Sequence, residues 1–286
     1  MSEPYYRDSQ LTLWHGDAIA TLAELEDASA HMCVTSPPYY GLRDYHVPGQ
    51  YGEEPTWPEY VEHMRAVFHE VRRVLVPEGT LWLNLGDTYS DKQLLGIPWR
   101  VAFALVDDGW LLRNELIWHK RRPLPESMAD RFSRTHEHVH LFASQPSYYM
   151  NLGPLRQETY REQKYPVRRV GVGYQRPEGR IVSQAELGEG NFRSLPDGKN
   201  PGTVWRLPQG TGKREHFAVM PVVLAERAII VGCPEGGTVL DPFSGSGTSG
   251  LAATKLGCKY VGIDLNEKYL RASLRDRLAQ PGIEFA

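Results

Sequence analysis

One glycine-rich turn close to the C-terminus restricts the chain more than any other feature. In TVLDPFSGSGTSG (Thr238 to Gly250) a β-branched, apolar run leads into Asp241 and Pro242, then into glycines at 245 and 247, then into a helix-forming segment. The pattern predicts a strand, a tight turn and a helix start. Glycine lets the backbone turn sharply and approach a ligand closely, and the first N–H groups of the helix are left to face an acceptor. A second strand, Tyr260 to Ile263, ends at Asp264, 19 residues beyond Gly245. A carboxylate there can accept both hydroxyls of a ribose. Gly245, Gly247 and Gly250 also satisfy the GxGxxG spacing, so a dinucleotide fold is a serious rival. Two features tilt away from it. Asp241 at the strand end would repel a pyrophosphate and suits a cationic amino-acid moiety. In addition, only 39 of 286 residues follow Gly247, whereas a dinucleotide domain opens with this turn and then builds its sheet. The remaining strands must come from the N-terminal half, in permuted order.

That half carries suitable elements. Asp17 to Leu25 reads as a short helix, and HMCVT (His31 to Thr35) as a strand. Pro58 to Leu75 is the clearest helix, with apolar positions at Tyr60, Val61, Met64, Val67, Phe68, Val71, Val74 and Leu75. Pro58 suits its first turn, and Pro77 with Gly79 ends it. Strands are expected at Thr80 to Leu85, Leu116 to Trp118, Val139 to Phe142 and Thr238 to Leu240. Further helices are expected at Pro98 to Asp108, Pro221 to Val231, Gly247 to Leu256 and Asn266 to Leu278. Strands alternating with helices imply a parallel α/β sheet. From about Tyr148 to Pro208 periodicity fails, a stretch too long for a connecting loop and expected to be an inserted recognition segment.

An apolar fraction of 41% and an aromatic fraction of 10% fit a globular chain with a real core. No apolar run reaches the roughly 18 residues of a membrane span, and the first ten residues lack the pattern of a secretory signal. Three cysteines (Cys33, Cys233, Cys258) form no CxxC, which speaks against a disulfide scaffold or zinc knuckle and for a reducing compartment. Cys33, inside an apolar strand, reads as a packed core residue. The net charge of −3 is unpromising for a nucleic-acid binder, but it is unevenly distributed. Between His119 and Arg214 there are 17 basic against 9 acidic residues. A basic segment on an acidic body suggests one face for a polyanion.

The strand HMCVT runs directly into TSPPYY (Thr35 to Tyr40). Two prolines fix φ and remove two donors. The turn therefore presents carbonyls, the Ser36 hydroxyl and an aromatic ring, a set suited to a planar group bearing an amine. Together, TSPPYY and DPFSGSGT resemble the amino-methyltransferases of DNA, in the motif order of their β class. HGDAIATL (His15 to Leu22), the block from Glu70 to Tyr89, GIPWRVAFAL, ELIWHKRRPLPES and HFAVMPVVLAERAI extend the likeness over most of the chain.

The resemblance implies a Rossmann-like, circularly permuted methyltransferase sheet. Residues 1–147 would form its catalytic half, 148–208 a target-recognition insertion and 209–286 its cofactor-binding half. It implies S-adenosyl-L-methionine as cofactor, bound by Asp17, Thr35, Asp241, Pro242, Phe243, Gly245, Ser246, Gly247, Thr248, Asp264 and Asn266. Ser36, Pro37, Pro38 and Tyr39 would be catalytic: Ser36 and the Pro37 carbonyl accept the amine hydrogens while Tyr39 stacks on a base extruded from double-stranded DNA. Ser at the first position resembles the cytosine-N4 enzymes more than the adenine-N6 ones. DNA contacts are expected from Lys120, Arg121, Arg122, Arg131, Arg134, Arg168 and Arg169. The family also implies a cytoplasmic protein of a bacterium, archaeon or phage, monomeric or homodimeric, with a restriction endonuclease as a companion. No metal is expected, although His136, His138 and His140 share one strand face. Asp87, at a strand end, either lines the pocket or caps a turn. A nicotinamide-dependent oxidoreductase, a nucleic-acid-binding module with a degenerate site, and a methyltransferase acting on RNA or protein remain alternatives.

Overall fold

The computed structural model describes residues 3–123, 126–156, 174–175, 181–182, 200–209 and 220–278. The chain begins with an antiparallel pair, β1 (Tyr6–Arg7) and β2 (Leu11–His15), followed by α1 (Ala18–Leu22) and β3 (Ala30–Thr35). Asp17 caps α1, its carboxylate accepting from the Ala20 N–H at 2.9 Å.

The long helix α2 (Trp57–Val74) starts where the sequence places it. Thr56 and Glu59 form a capping box, Pro58 occupies the first turn, and Arg72 and Arg73 complement the negative end of the dipole. Its stripe of Tyr60, Met64, Val67, Phe68, Val71 and Val74 is buried. The chain then passes without a loop into β4 (Leu75–Leu85). Strand β4 therefore starts five residues before Thr80, and its pairing with β3 is irregular between Ala30 and Met32. A small hairpin, β5 (Tyr89–Ser90) and β6 (Gln93–Leu94), precedes α3 (Ile97–Asp107). Strands β7 (Leu111–Lys120) and β8 (His136–Ala143) follow. Both exceed the expected stretches, because Arg113, Asn114, Glu115, His136 and Glu137 break an apolar count while the backbone continues the ladder.

Further along come β9 (Tyr174–Gln175), β10 (Ile181–Val182) and β11 (Val204–Leu207). After α4 (Val222–Gly232) come β12 (Thr238–Asp241), α5 (Thr248–Lys255), β13 (Lys259–Asp264) and α6 (Glu267–Ser273), which runs into a wider π turn at Leu274–Leu278. Contacts divide the chain into one compact unit of Met1–Asn151 with Gly202–Ala286 and a second of Leu152–Pro201. Within the second unit, a 3₁₀ turn at Gly153–Leu155 and the antiparallel β9–β10 pair are described.

The main sheet runs β1-β2-β13-β12-β3-β4-β8-β7-β11. Strands β2, β13, β12, β3 and β4 are mutually parallel. Strand β8 is antiparallel to both β4 and β7, so the sheet is mixed rather than parallel. The short segment between β7 and β8 holds no helix among its described residues, so the chain returns as a neighbour instead of crossing over. The unexpected β2 fills the space beside β13. Its alternation of Leu11 and Leu13, both buried, was the available signal.

One face of the sheet packs Cys33, Leu81, Leu83 and Phe142 against α2 and α3. On the other, Gly232 of α4 lies so close to Trp82, Thr80 and Met32 that a Cβ there would stand 2.7 Å from the indole nitrogen. From β3 the chain proceeds through α2 to β4, and from β12 through α5 to β13 on the other side. The order of strands therefore reverses between β3 and β12, and the crevice at a reversal of this kind is where open α/β sheets bind ligands. No described helix is long and apolar enough to cross a membrane.

Candidate active site

Two turns leave the sheet at that reversal. Strand β3 ends in Thr35 and the Ser36–Pro37–Pro38–Tyr39 turn; β12 ends in Asp241 and the glycine turn. They are tied directly, the Thr35 hydroxyl donating to Asp241 Oδ1 at 2.6 Å across 206 residues of sequence. The same oxygen accepts from the Phe243 N–H at 3.0 Å, and Oδ2 accepts from the Ser249 hydroxyl. Asp241 is buried, and that burial pushes its carboxyl above the usual range against the pull of these donors. Ser249 and Tyr260, whose hydroxyl also donates to Ser244 at 2.9 Å, complete a polar knot beneath the turn.

The turn itself has the expected conformation. Gly245 and Gly247 have φ of 51° and 74°, the left-handed region glycine adopts without strain. Gly247 caps α5. Asp264 closes the turn from β13: Oδ2 accepts from the Gly245 N–H at 2.6 Å and Oδ1 from the Asn266 N–H at 2.8 Å. Burial raises Asp264 to about 6.

Ser36, Pro38, Asp241, Pro242, Phe243, Gly245, Ser246, Thr248, Asp264 and Asn266 all line one cleft, which holds about 1060 Å³ of empty space, part of it open to solvent. Both turns thus face the same cavity. Gly16, Arg43, Tyr45, Gln50, Tyr51 and Tyr269 form its other walls. Asp17 lies at the edge of this wall, with one oxygen engaged by α1 and the other by the Tyr51 hydroxyl at 2.8 Å. The Tyr51 ring stands edge-on to Phe243, centroids 5.4 Å apart.

Beside the proline turn is a cluster that the sequence did not announce. The Tyr39 hydroxyl donates to Glu137 Oε2 at 2.6 Å, and Asn84 Nδ2 reaches Ser36 Oγ at 3.2 Å, Tyr39 Oη at 2.7 Å and Glu137 Oε2 at 2.9 Å. Lys120 pairs with the other Glu137 oxygen at 2.6 Å. With the Tyr39 proton committed to Glu137, the Ser36 hydroxyl donates to Tyr39 Oη, 3.2 Å away. One Ser36 lone pair accepts from Asn84, and the second remains for a ligand. Burial first, then Glu137, drives the Tyr39 phenol well above its ordinary value. Its ring packs on Gly86, where a Cβ would stand 2.6 Å from Cε2. Tyr60 fixes the Pro38 carbonyl at 2.9 Å. The available signal for Glu137 was its alternation with the histidines in HEHVH, which puts it on the sheet face of Asn84 while His140 shares the face of Phe142.

The expected basic residues take different places. Lys120 is turned inward to Glu137 and is not part of an open cationic face. Arg131 and Arg134 both pair with Glu126, at 2.5 and 3.3 Å, and both lie over the Tyr89 ring. Arg121 reaches the Arg206 carbonyl at 3.3 Å, and Arg122 is exposed. Arg168 and Arg169 lie outside the described residues. Asp87 accepts from the Thr88, Gly96 and Ile97 N–H groups, which makes it the cap of α3. His136, His138 and His140 do share a face, as a ladder of rings ending on Trp99, and no metal-binding group occurs among the described residues. Cys33 is fully buried and its thiol is pushed up by burial.

A crevice that is acidic along two strand ends and edged by a rigid proline turn, at the reversal of a mixed α/β sheet, fits the class of S-adenosylmethionine-dependent methyltransferases. A family model described as DNA methylase, for N6 and N4 methyltransferases, matches residues 30–275, and the chain belongs to that family: it is a DNA methyltransferase. Among relatives, the type II methyltransferase M.XycI of Xanthomonas campestris pv. cyanopsidis is 34% identical over 93% of this chain and 87% of its own. M.SmaI of Serratia marcescens is 34% identical over 89% and 86%. Among solved structures, PvuII DNA methyltransferase, named as cytosine-N4-specific, superposes with a TM-score of 0.71 at 19% identity, covering 95% of this chain and 88% of that one. The Thermus thermophilus protein TTHA0409, a putative DNA modification methylase complexed with S-adenosyl-L-methionine, gives 0.60 at 26% identity, covering 93% of each chain. The family assignment removes the oxidoreductase reading of the glycine turn.

Proposed function

We propose that this enzyme methylates the N4 amine of a cytosine swung out of double-stranded DNA at a defined sequence. The reading is carried by Ser36, which lines the cleft beside Pro38 and faces the glycine turn. An exocyclic amine is a poor nucleophile because its lone pair is delocalised into the ring. Hydrogen bonds accepted from it by Ser36 Oγ and the Pro37 carbonyl draw the nitrogen toward sp³. Asn84 and Tyr39 orient Ser36 so that its second lone pair is available. S-adenosylmethionine, when bound, supplies a methyl group activated by the sulfonium. The transfer is a direct displacement in which the protein's part is positioning, worth ~7–11 kcal/mol when geometry is good. Extruding the base costs a few kcal/mol, offset in part by stacking on Tyr39.

The donor set fits the cofactor. A carboxylate has about four acceptor sites. Asp264 uses two on Gly245 and Asn266, leaving two for a pair of ribose hydroxyls. Asp241 uses three, leaving one toward a cationic group, and Pro242, Phe243, Ser246, Gly247 and Thr248 shape the wall. Thr35 holds Asp241 in place, and Asp17 serves the adenine edge from the far wall. In this reading the sheet is circularly permuted: residues 1–147 and 209–286 are its catalytic and cofactor halves, and the target-recognition insertion lies within 148–208, where Leu152–Pro201 form the separate unit and β11 rejoins the main sheet. Arg121, Arg122, Arg131 and Arg134, with Arg168 and Arg169 of the insertion, contact DNA. The enzyme acts in a bacterial, archaeal or phage-infected cytoplasm, as monomer or homodimer, beside a restriction endonuclease of the same specificity.

Mass spectrometry of nucleosides from treated DNA tests the base. The expected product is N4-methylcytosine; N6-methyladenine would replace cytosine by adenine as the target. Ser36→Ala should abolish transfer while S-adenosylmethionine still binds.

A further inference from the structure

The segment between β7 and β8 carries the most exposed large apolar side chain among the described residues. Phe132 is 97% exposed, and Met128, four residues earlier, is 55% exposed. A lone exposed leucine on a surface means little, but a whole phenylalanine ring projected into water needs a reason. The loop is not loosely attached. Arg131 and Arg134 flank Phe132 in sequence, converge on Glu126 and cover the Tyr89 ring. Arg134 also donates to the Asp87 carbonyl, and Lys92 of the β5–β6 hairpin pairs with Asp130 at 2.9 Å. The ring therefore stands on a braced pedestal.

Its location is equally defined. Five residues beyond Phe132 the chain reaches Glu137, which holds the Tyr39 hydroxyl. Five residues of extended backbone span at most about 18 Å, so the Phe132 Cα lies within that reach of the strand position gripping the proline turn. Arg121 and Arg122, both exposed, leave β7 on the same connection. An apolar tip among cations matches the two components of a nucleic-acid duplex, stacked bases inside and phosphates outside.

We propose that Phe132 is a wedge that enters the base stack of the substrate duplex beside the target and occupies the space the extruded base leaves. This rests on the base-extrusion reading above. The ring replaces part of the lost stacking, while the arginines behind it hold its approach fixed. It is a positioning residue: it touches the helix and not the reacting atoms.

The test uses the full-length protein and two short duplexes carrying the methylation site, mapped beforehand by single-base sequencing of methylated plasmid. One duplex is fully matched; the other has an abasic position opposite the target, so that extrusion is already favoured. Phe132→Ala should lower kcat/KM on the matched duplex by roughly tenfold or more, the scale of one aromatic stacking contact. It should recover most of that loss on the abasic duplex, and Phe132→Trp should stay near the parent on both. The affinity for S-adenosylmethionine should not move. Equal loss on both duplexes, or no loss on the matched one, overturns the wedge. A parent protein that methylates the matched duplex but binds it without any fluorescence change from a 2-aminopurine at the target position overturns base extrusion itself.

Discussion

The hydrogen bond from Thr35 to Asp241 joins the two halves of the site, and its strength can be measured. Thr35→Val keeps the shape of the side chain but removes the hydroxyl. A hydrogen bond to a charged group contributes ~1.5–3 kcal/mol, against ~0.5–1.5 kcal/mol for a neutral one. Asp241 keeps Ser249 and the Phe243 N–H, so its carboxylate is weakened and not orphaned, and a loss of about 2 kcal/mol is expected. Asp241→Asn keeps an acceptor of the same shape and removes the charge. In that background Thr35→Val should cost only about 1 kcal/mol, since the bond it deletes is then neutral. A double-mutant cycle by urea denaturation should therefore show a coupling of about 1 kcal/mol. Single-turnover methylation by Thr35→Val should fall about tenfold or more as Ser36 loses its alignment. Additivity of the two substitutions within ~0.3–0.5 kcal/mol would place them outside each other's influence and refute the tie as the element that aligns the turns.

Asp264 is raised to about 6 by burial, and in the proposed cofactor site it accepts two hydroxyls only when ionised. The affinity for S-adenosylmethionine, measured by calorimetry, should drop about tenfold between pH 7 and pH 5, following the ionised fraction. Stability has the opposite sign. A carboxyl whose folded value lies above its unfolded one stabilises the fold most below about 4, and this contribution is lost as pH rises through about 6, so cofactor-free melting should show a component that declines over that window. Gly86→Ala places a methyl within 2.6 Å of the Tyr39 ring. Stopped-flow transfer assays should show a loss on the order of a hundredfold for a ~1 Å displacement, with cofactor binding retained. Asp87→Ala strips the Gly96 and Ile97 N–H groups at the start of α3, and the Thr88 N–H beside it, of their acceptor and should lower unfolding free energy by about 1–2 kcal/mol, read by chemical denaturation.

Legibility in the sequence followed where the physics is local. Helix α2 could be read almost to the residue, because a one-sided apolar stripe and a first-turn proline act within a few residues of each other. The glycine turn and the proline turn were legible for the same reason: their conformations are dictated by residues that permit or forbid particular φ values. Strand β7 was legible only at its Leu116 to Trp118 centre, since Arg113, Asn114 and Glu115 lie where partner strands, not local composition, decide. The direction of β8 goes with a connection that shows no crossover helix among its described residues, a fact that a strand's own residues do not carry. The Asn84–Glu137–Lys120 cluster was hidden because its members come from three strands and meet only once β8 has inserted between β4 and β7. Lys120 illustrates the hazard, for in KRR it reads as one more surface cation, yet strand alternation turns it inward to a buried carboxylate.

The placement of β12 and β13 between β2 and β3 has a consequence for biosynthesis. The two outer strands leave the ribosome more than two hundred residues before the pair that must lie between them. Until that pair emerges, β2 and β3 each present an unsatisfied edge, and the nascent chain has no way to close its sheet from neighbouring segments alone. The sheet closes only once that pair has been made, and the cleft between the two turns comes into being with that event. A chain interrupted before Thr238 would carry the proline turn with nothing opposite it.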